Sequence, residues 1–146
     1  MEWLIQLDYS LLLFLNGLHS PFFDKVMLLL TSPYPWIPFY LAIAAFIIYH
    51  YGVKKGSWSY ALLLITGALL TFAITDMGSS AIKDLTMRLR PGHDPVLEGI
   101  VRLLDGKGGS FGFISSHASN VFGLAIFTSL VFRNRWYSTI IFIWAI

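Results

Sequence analysis

Two short segments of this sequence carry the side chains that could do chemistry. In the first, "IKDLTMRLRP" at residues 82–91, Lys83 and Arg90 are separated by two turns of a continuous helix. Both cations would then project from nearly one face, about 10 Å apart. In a membrane-spanning helix such charges should face the bundle interior or a polar cavity. The spacing favours a site for an anion with several oxygens. The alternative is a pair of side chains that extend to lipid headgroups.

The second segment, "ISSHASN" at residues 114–120, follows a glycine-rich stretch and opens an apolar run. Ser115 or Ser116 can cap the helix that follows, and the unpaired amides of a helix N-terminus bind anions. His117 would lie in the first turn, where a nearby phosphate favours the protonated imidazolium, a proton donor. Cations, amides and a general acid are the groups that phosphate ester hydrolysis needs. The alternative is a polar helix cap with an incidental histidine.

The composition indicates an integral membrane protein. Of 146 residues, 56% are hydrophobic and 12% are charged, whereas soluble domains carry about 25% charge. The aromatic content of 16% suits side chains at lipid interfaces. A net charge of only +2 does not make a nucleic-acid-binding surface, and the absence of cysteine excludes disulfides and thiolate metal sites within these residues.

Hydrophobic patterning predicts an all-α fold, a multi-span transmembrane helix bundle with an N-terminal amphipathic interfacial helix. Residues 1–146 are expected to form a single domain. Its last apolar segment would reach only about 15 Å, half of the hydrocarbon core, so we expect a C-terminally truncated chain. The expected elements are the interfacial helix at 2–16, spans at about 22–51 (broken by prolines 33–38), 57–90 (stopped by Pro91) and 116–132, a partial span at 136–146, and an external loop at 91–113.

Counting the crossings assigns the charged segments to opposite membrane faces. Lys54 and Lys55 share one face with "RNR" at residues 133–135, whereas Lys83, Arg90 and His117 converge near the other. The positive-inside rule makes the face with the two basic turns cytoplasmic. The predicted external loop also carries cations, and these oppose the orientation under the same rule unless some of them serve a site.

The two segments resemble signatures of the type 2 phosphatidic acid phosphatase family, which is related to the vanadium haloperoxidases. "KDLTMRLRP" matches the first signature, a lysine, six residues and Arg-Pro, at every fixed position. The second, Pro-Ser-Gly-His, corresponds to Ile114-Ser115-Ser116-His117, which keeps the serine and the histidine. The third, Ser-Arg, five residues, His, three residues, Asp, is absent from these residues.

The resemblance implies a membrane lipid-phosphate phosphatase and a role for each matched residue. Lys83, Arg90 and Ser115 would bind phosphate, as would the Ser116 amide in place of the glycine amide. His117 would protonate the leaving group. The nucleophile would be the histidine of the third signature, which forms a phosphohistidine without a metal or other cofactor, so we expect residues 1–146 to be inactive alone.

The resemblance also implies the setting, a bacterial inner membrane with the site facing the periplasm or the exterior. The partners would be the lipid bilayer and a lipid phosphate, with no nucleic acid. Phosphatidic acid, phosphatidylglycerol phosphate, a polyprenyl diphosphate and a lipid A phosphate all remain open as substrates. Two other functions are also open, a non-catalytic protein that binds anionic headgroups and a small transporter subunit.

Overall fold

A computed structural model describes residues 2–146, and within them the fold is all-helical, as predicted. Unit 1 comprises residues up to 37 together with Leu89–Ser110, and unit 2 comprises Pro38–Arg88 and Phe111–Ile146. The α-helices are α1 (Glu2–Gly17), α2 (Pro21–Thr31), α3 (Ile37–Ile47), α4 (Trp58–Thr86), α5 (Ser116–Phe132) and α6 (Arg135–Ala145), with a 3₁₀ turn at Tyr34–Trp36 and a π-helix at Ile48–Lys54.

Unit 1 is held together by polar contacts between α1, α2 and the loop that follows α4. The Asn16 side chain accepts a hydrogen bond from the Arg102 amide at 2.9 Å and donates one to its carbonyl at 3.0 Å. The Arg102 guanidinium donates two hydrogen bonds to the Asp24 carboxylate, at 2.9 and 2.6 Å. The Tyr9 hydroxyl donates to Asp94 at 2.7 Å. The first helix, predicted at 2–16, ends at Gly17, and Asn16 also fixes the loop backbone.

The proline-rich break in the first long apolar segment is confirmed. Ser20 caps α2, and its hydroxyl accepts a hydrogen bond from the Phe23 amide at 3.2 Å. Extended backbone at Ser32 ends this helix, and the indole of Trp36 donates to the Leu30 carbonyl at 2.8 Å across the break. Proline lacks an amide hydrogen and clashes with the preceding turn, so one helix cannot continue through these residues.

In unit 2, α4 and α5 pack antiparallel at small side chains. A Cβ atom on Gly123 would lie 2.8 Å from the Thr75 methyl carbon, and one on Gly67 would lie 3.0 Å from the Phe127 ring. Glycines at these two points let the helix axes approach closely, which is the usual way that helices associate in lipid. This close packing fixes the register of the polar residues that face each other across the pair.

The helical segments Tyr34–Lys54 and Trp58–Thr86 are long and apolar enough to cross a membrane, and α5 is a shorter apolar helix. The α4 side chains Leu62, Leu69 and Ile74 are largely exposed, which suits contact with lipid chains. Lys55 and Arg133 line one cavity of about 560 Å³ at the opposite end of α4 from Lys83. The two basic turns therefore come together, as the crossing count predicted.

The second span ends earlier than predicted. We expected a helix to Arg90 stopped by Pro91, but α4 ends at Thr86, and Met87 adopts a left-handed conformation (φ 46°). The Met87 amide donates to the Lys83 carbonyl at 2.9 Å, which closes the last turn. The Thr86 hydroxyl donates to the Phe113 carbonyl at 3.1 Å. Arg90 is therefore not two turns along the same helix from Lys83, and the prediction that both project from one helix face is wrong.

Candidate active site

The N-terminus of α5 is built by the serines of the second segment. Ser115 is the cap residue, and its hydroxyl accepts a hydrogen bond from the Ala118 amide at 3.3 Å. Ser116 and His117 are the first two residues of the helix, where backbone amides lack helical partners. His117 is exposed, and within the described residues its ring makes no hydrogen bond. The imidazole and these amides are thus available to an anion that approaches this end of the helix.

Lys83 and Ser79 lie beside this helix terminus. The Lys83 ammonium donates a hydrogen bond to the Ser116 hydroxyl at 2.5 Å. The Ser116 hydroxyl also shares a 2.7 Å hydrogen bond with Ser79, which is only 1% exposed. The packing of α4 on α5 therefore brings together Lys83, Ser115, Ser116 and His117, four of the five residues that the sequence assigned to the site.

The polar contacts continue one turn further along the same helix pair. The Asn120 amide group donates to the Asp76 carboxylate at 3.3 Å, and its carbonyl oxygen lies 2.6 Å from the Thr75 hydroxyl. Asn120 follows Ser116 by one helical turn, so both face α4. Thr75, Ser79 and Asn120 were not among the residues that the sequence assigned to the site. Their helical spacing within apolar segments was the available signal.

Arg90, the fifth residue, belongs to unit 1. Its amide donates to the Ser110 carbonyl at 2.9 Å, and its own carbonyl accepts from the His93 amide at 2.8 Å, which forms a tight turn. A Cβ atom on Gly108 would lie 2.5 Å from the Arg90 guanidinium, so this side chain lies close against the Gly108 backbone. The His93 ring lies 3.2 Å from the Gly108 carbonyl oxygen. The role of Arg90 in the site stays a prediction.

Other cations near the first segment have partners of their own. Arg102 is paired with Asp24, and Arg88 lies 5.9 Å from the centre of the Phe113 ring. Lys107 donates a hydrogen bond to Glu98, and this bond and the lysine charge lower the pKa of the Glu98 carboxyl. Two of the loop cations that opposed the predicted orientation are thus balanced by carboxylates. Among the described residues, no three histidine or carboxylate side chains cluster as metal ligands.

An apolar cavity of about 350 Å³ lies between α3, α4 and α5. Its lining is almost entirely apolar, but Thr71 and Asn120 also contribute. Asn120 therefore lines this cavity and also belongs to the series of polar side chains that includes Ser116 and Lys83.

The packed helices and the Lys83 ammonium at the start of α5 agree with the family comparison. The PAP2 superfamily profile matches residues 58–146, and the chain belongs to this superfamily. Two bacterial relatives are each named lipid A 4'-phosphatase. The one from Bacteroides thetaiotaomicron is 40% identical over 99% of this chain and 64% of its own length. The one from Porphyromonas gingivalis is 34% identical over 94% of this chain and 57% of its own length.

This chain therefore spans roughly three-fifths of the length of these curated relatives. No solved structure gives a significant match to it.

Proposed function

We propose that these residues form the phosphate-binding part of a membrane lipid-phosphate phosphatase. The observation that carries the proposal is the Lys83 ammonium held against the Ser116 hydroxyl at the N-terminus of α5, beside the exposed His117. A cation, helix amides and an imidazole at one point suit a phosphate group and its leaving oxygen. Membership of the PAP2 superfamily supports the same reaction class.

The proposed mechanism divides the work between charge stabilisation and proton transfer. The Lys83 ammonium and the amides of the first turn of α5 would neutralise charge that develops on the phosphoryl oxygens. The His117 imidazolium would donate its proton to the departing alkoxide. Arg90 would bind a further oxygen. The attacking group in the full-length protein would be a histidine that forms a phosphohistidine and is then released by water.

We propose that the substrate is a phosphate monoester of lipid A. The names of the two bacterial relatives support this choice among the four lipid phosphates that the sequence left open. The apolar cavity beside Asn120 gives space for an acyl chain close to the polar site.

The test is phosphate release by the purified full-length protein in detergent micelles. We expect turnover of lipid A that carries a 4'-phosphate, and slower turnover of phosphatidic acid, phosphatidylglycerol phosphate and undecaprenyl diphosphate at equal surface concentration. Mass spectrometry of the product should show loss of the 4'-phosphate. Preferred hydrolysis of another lipid would refute the proposed substrate. Binding of all four lipids without release of phosphate would refute the proposed phosphatase activity.

The proposed orientation gives a second prediction, with the site outside and the two basic turns in the cytoplasm. These residues contain no cysteine, so Lys55→Cys and Lys107→Cys each introduce a single thiol into them. In spheroplasts, a membrane-impermeant maleimide should label the thiol at position 107 and leave the one at position 55 unlabelled until the membrane is permeabilised. Labelling at 55 alone would reverse the orientation and place the site in the cytoplasm.

A further inference from the structure

Three side chains form a continuous hydrogen-bonded series between α4 and α5. The Lys83 ammonium donates to the Ser116 hydroxyl at 2.5 Å, Ser116 and Ser79 share a 2.7 Å bond, and the Ser79 hydroxyl donates to the Asp76 carbonyl at 2.8 Å. Ser79 is 1% exposed, so its hydroxyl depends on these partners. Nothing in the proposed mechanism uses Ser79.

The proton positions in this series follow from the donors available. A serine hydroxyl has one hydrogen and can accept two hydrogen bonds. Because the Ser79 hydrogen is directed to the Asp76 carbonyl, Ser116 must donate in its bond with Ser79. The remaining acceptor capacity of Ser116 then receives the Lys83 ammonium, which donates only. The direction of donation therefore runs from Lys83 through Ser116 and Ser79 to the backbone of α4.

We propose that Ser79 is a positioning residue for the phosphate site, and that it acts through the Ser116 hydroxyl to hold the Lys83 ammonium at the N-terminus of α5. A lysine side chain has many rotamers, and this contact restricts them before substrate binds. Within residues 2–146 the other two ammonium hydrogens make no hydrogen bond and can be donated to phosphoryl oxygens. The family signature has glycine where this chain has Ser116, so the arrangement depends on a hydroxyl that a glycine would not supply. The inference rests on the proposed phosphatase function.

The test is a double-substitution cycle in the full-length protein. Ser79→Ala should lower kcat/KM for the lipid phosphate about three- to tenfold, the usual effect of losing one hydrogen bond. In a Lys83→Ala background, or with Ser116→Gly, the same substitution should change kcat/KM less than about twofold, because no held ammonium remains. Ser80→Ala is the matched control, an exposed serine on the same helix, and should have no effect in any background.

A measurement that needs no turnover separates this inference from the proposed function. A brief pulse of acetic anhydride modifies lysines, and mass spectrometry gives the extent at Lys83 relative to Lys55. Ser79→Ala should raise labelling of Lys83 at least about twofold, because the side chain leaves its hydroxyl partner, and Ser80→Ala should not.

Dependence of Lys83 labelling on Ser79 in a protein without phosphatase activity would support the positioning role and refute the proposed function. In an active protein, two results together would refute the positioning role alone. Ser79→Ala would lower kcat/KM equally with and without Lys83, and it would leave the labelling of Lys83 unchanged.

Discussion

His117→Ala in the full-length protein should lower kcat for a lipid phosphate by about 10²–10⁴-fold, the usual contribution of general acid catalysis. The sugar or glycerol alkoxide that leaves is a strong base, so its departure without a proton is slow. His117 lies in the first turn of α5, exposed and beside the Lys83 contact, where its proton can reach a leaving oxygen. Steady-state phosphate release from lipid micelles measures the loss.

The leaving group distinguishes an acid from a residue that only binds. Hydrolysis of an aryl phosphate analogue of the lipid releases a phenolate, which needs little protonation. With this substrate His117→Ala should therefore recover much of the lost rate. Lys83→Ala removes charge stabilisation from the phosphoryl oxygens, and this loss is the same for either leaving group. Lys83→Ala is therefore the control that should not be rescued. Equal rescue of both variants would remove the acid role from His117.

Local signals in the sequence were sufficient for most helix boundaries. The third predicted span, 116–132, coincides with α5, because a capping serine and a basic turn bound an uninterrupted apolar run. The end of α4 could not be predicted in this way. Its termination needs Met87 in a left-handed conformation and the contact of Thr86 with Phe113, a residue that is distant in the chain. No local residue type at positions 86–88 indicates a helix end, so the sequence predicts a helix that continues to Pro91.

Residues of the candidate site likewise divide into those that the sequence could predict and those that depend on how the helices pack. Family signatures and the crossing count were enough to expect Lys83, Ser115, Ser116 and His117 together. Ser79 was missed, because a serine in a helix is ordinary until the register of α4 against α5 is known. That register depends on the glycine contacts between the two helices, a property of the packed pair. The pairing of Lys83 with Arg90 was argued from a helix that ends before Arg90, and only the family resemblance still supports it.

Residues 1–146 expressed alone should bind phosphate weakly at most and release none from lipid phosphates. Phosphohistidine formation requires a histidine held in line with the phosphorus, and the remaining histidines of these residues do not suit that role. His50 stacks on Phe46 in the segment that leads to Lys55. His93 directly follows Pro91-Gly92 in the loop, with its ring 3.2 Å from the Gly108 carbonyl oxygen. His19 lies between α1 and α2 and belongs to no signature of the family.

The measurement compares phosphate release by residues 1–146 with release by the full-length protein, at equal protein and lipid concentrations. The Bacteroides thetaiotaomicron relative supplies a matched pair, its whole chain and the stretch that aligns with residues 1–146. Both short chains should be inactive, and both should still fold, as judged by helical circular dichroism and a single peak in size-exclusion chromatography. Turnover by folded residues 1–146 at a rate comparable to the full-length protein would place the nucleophile within these residues. His93 would then be the first residue to replace, because it is the remaining histidine on the loop that joins the two signatures.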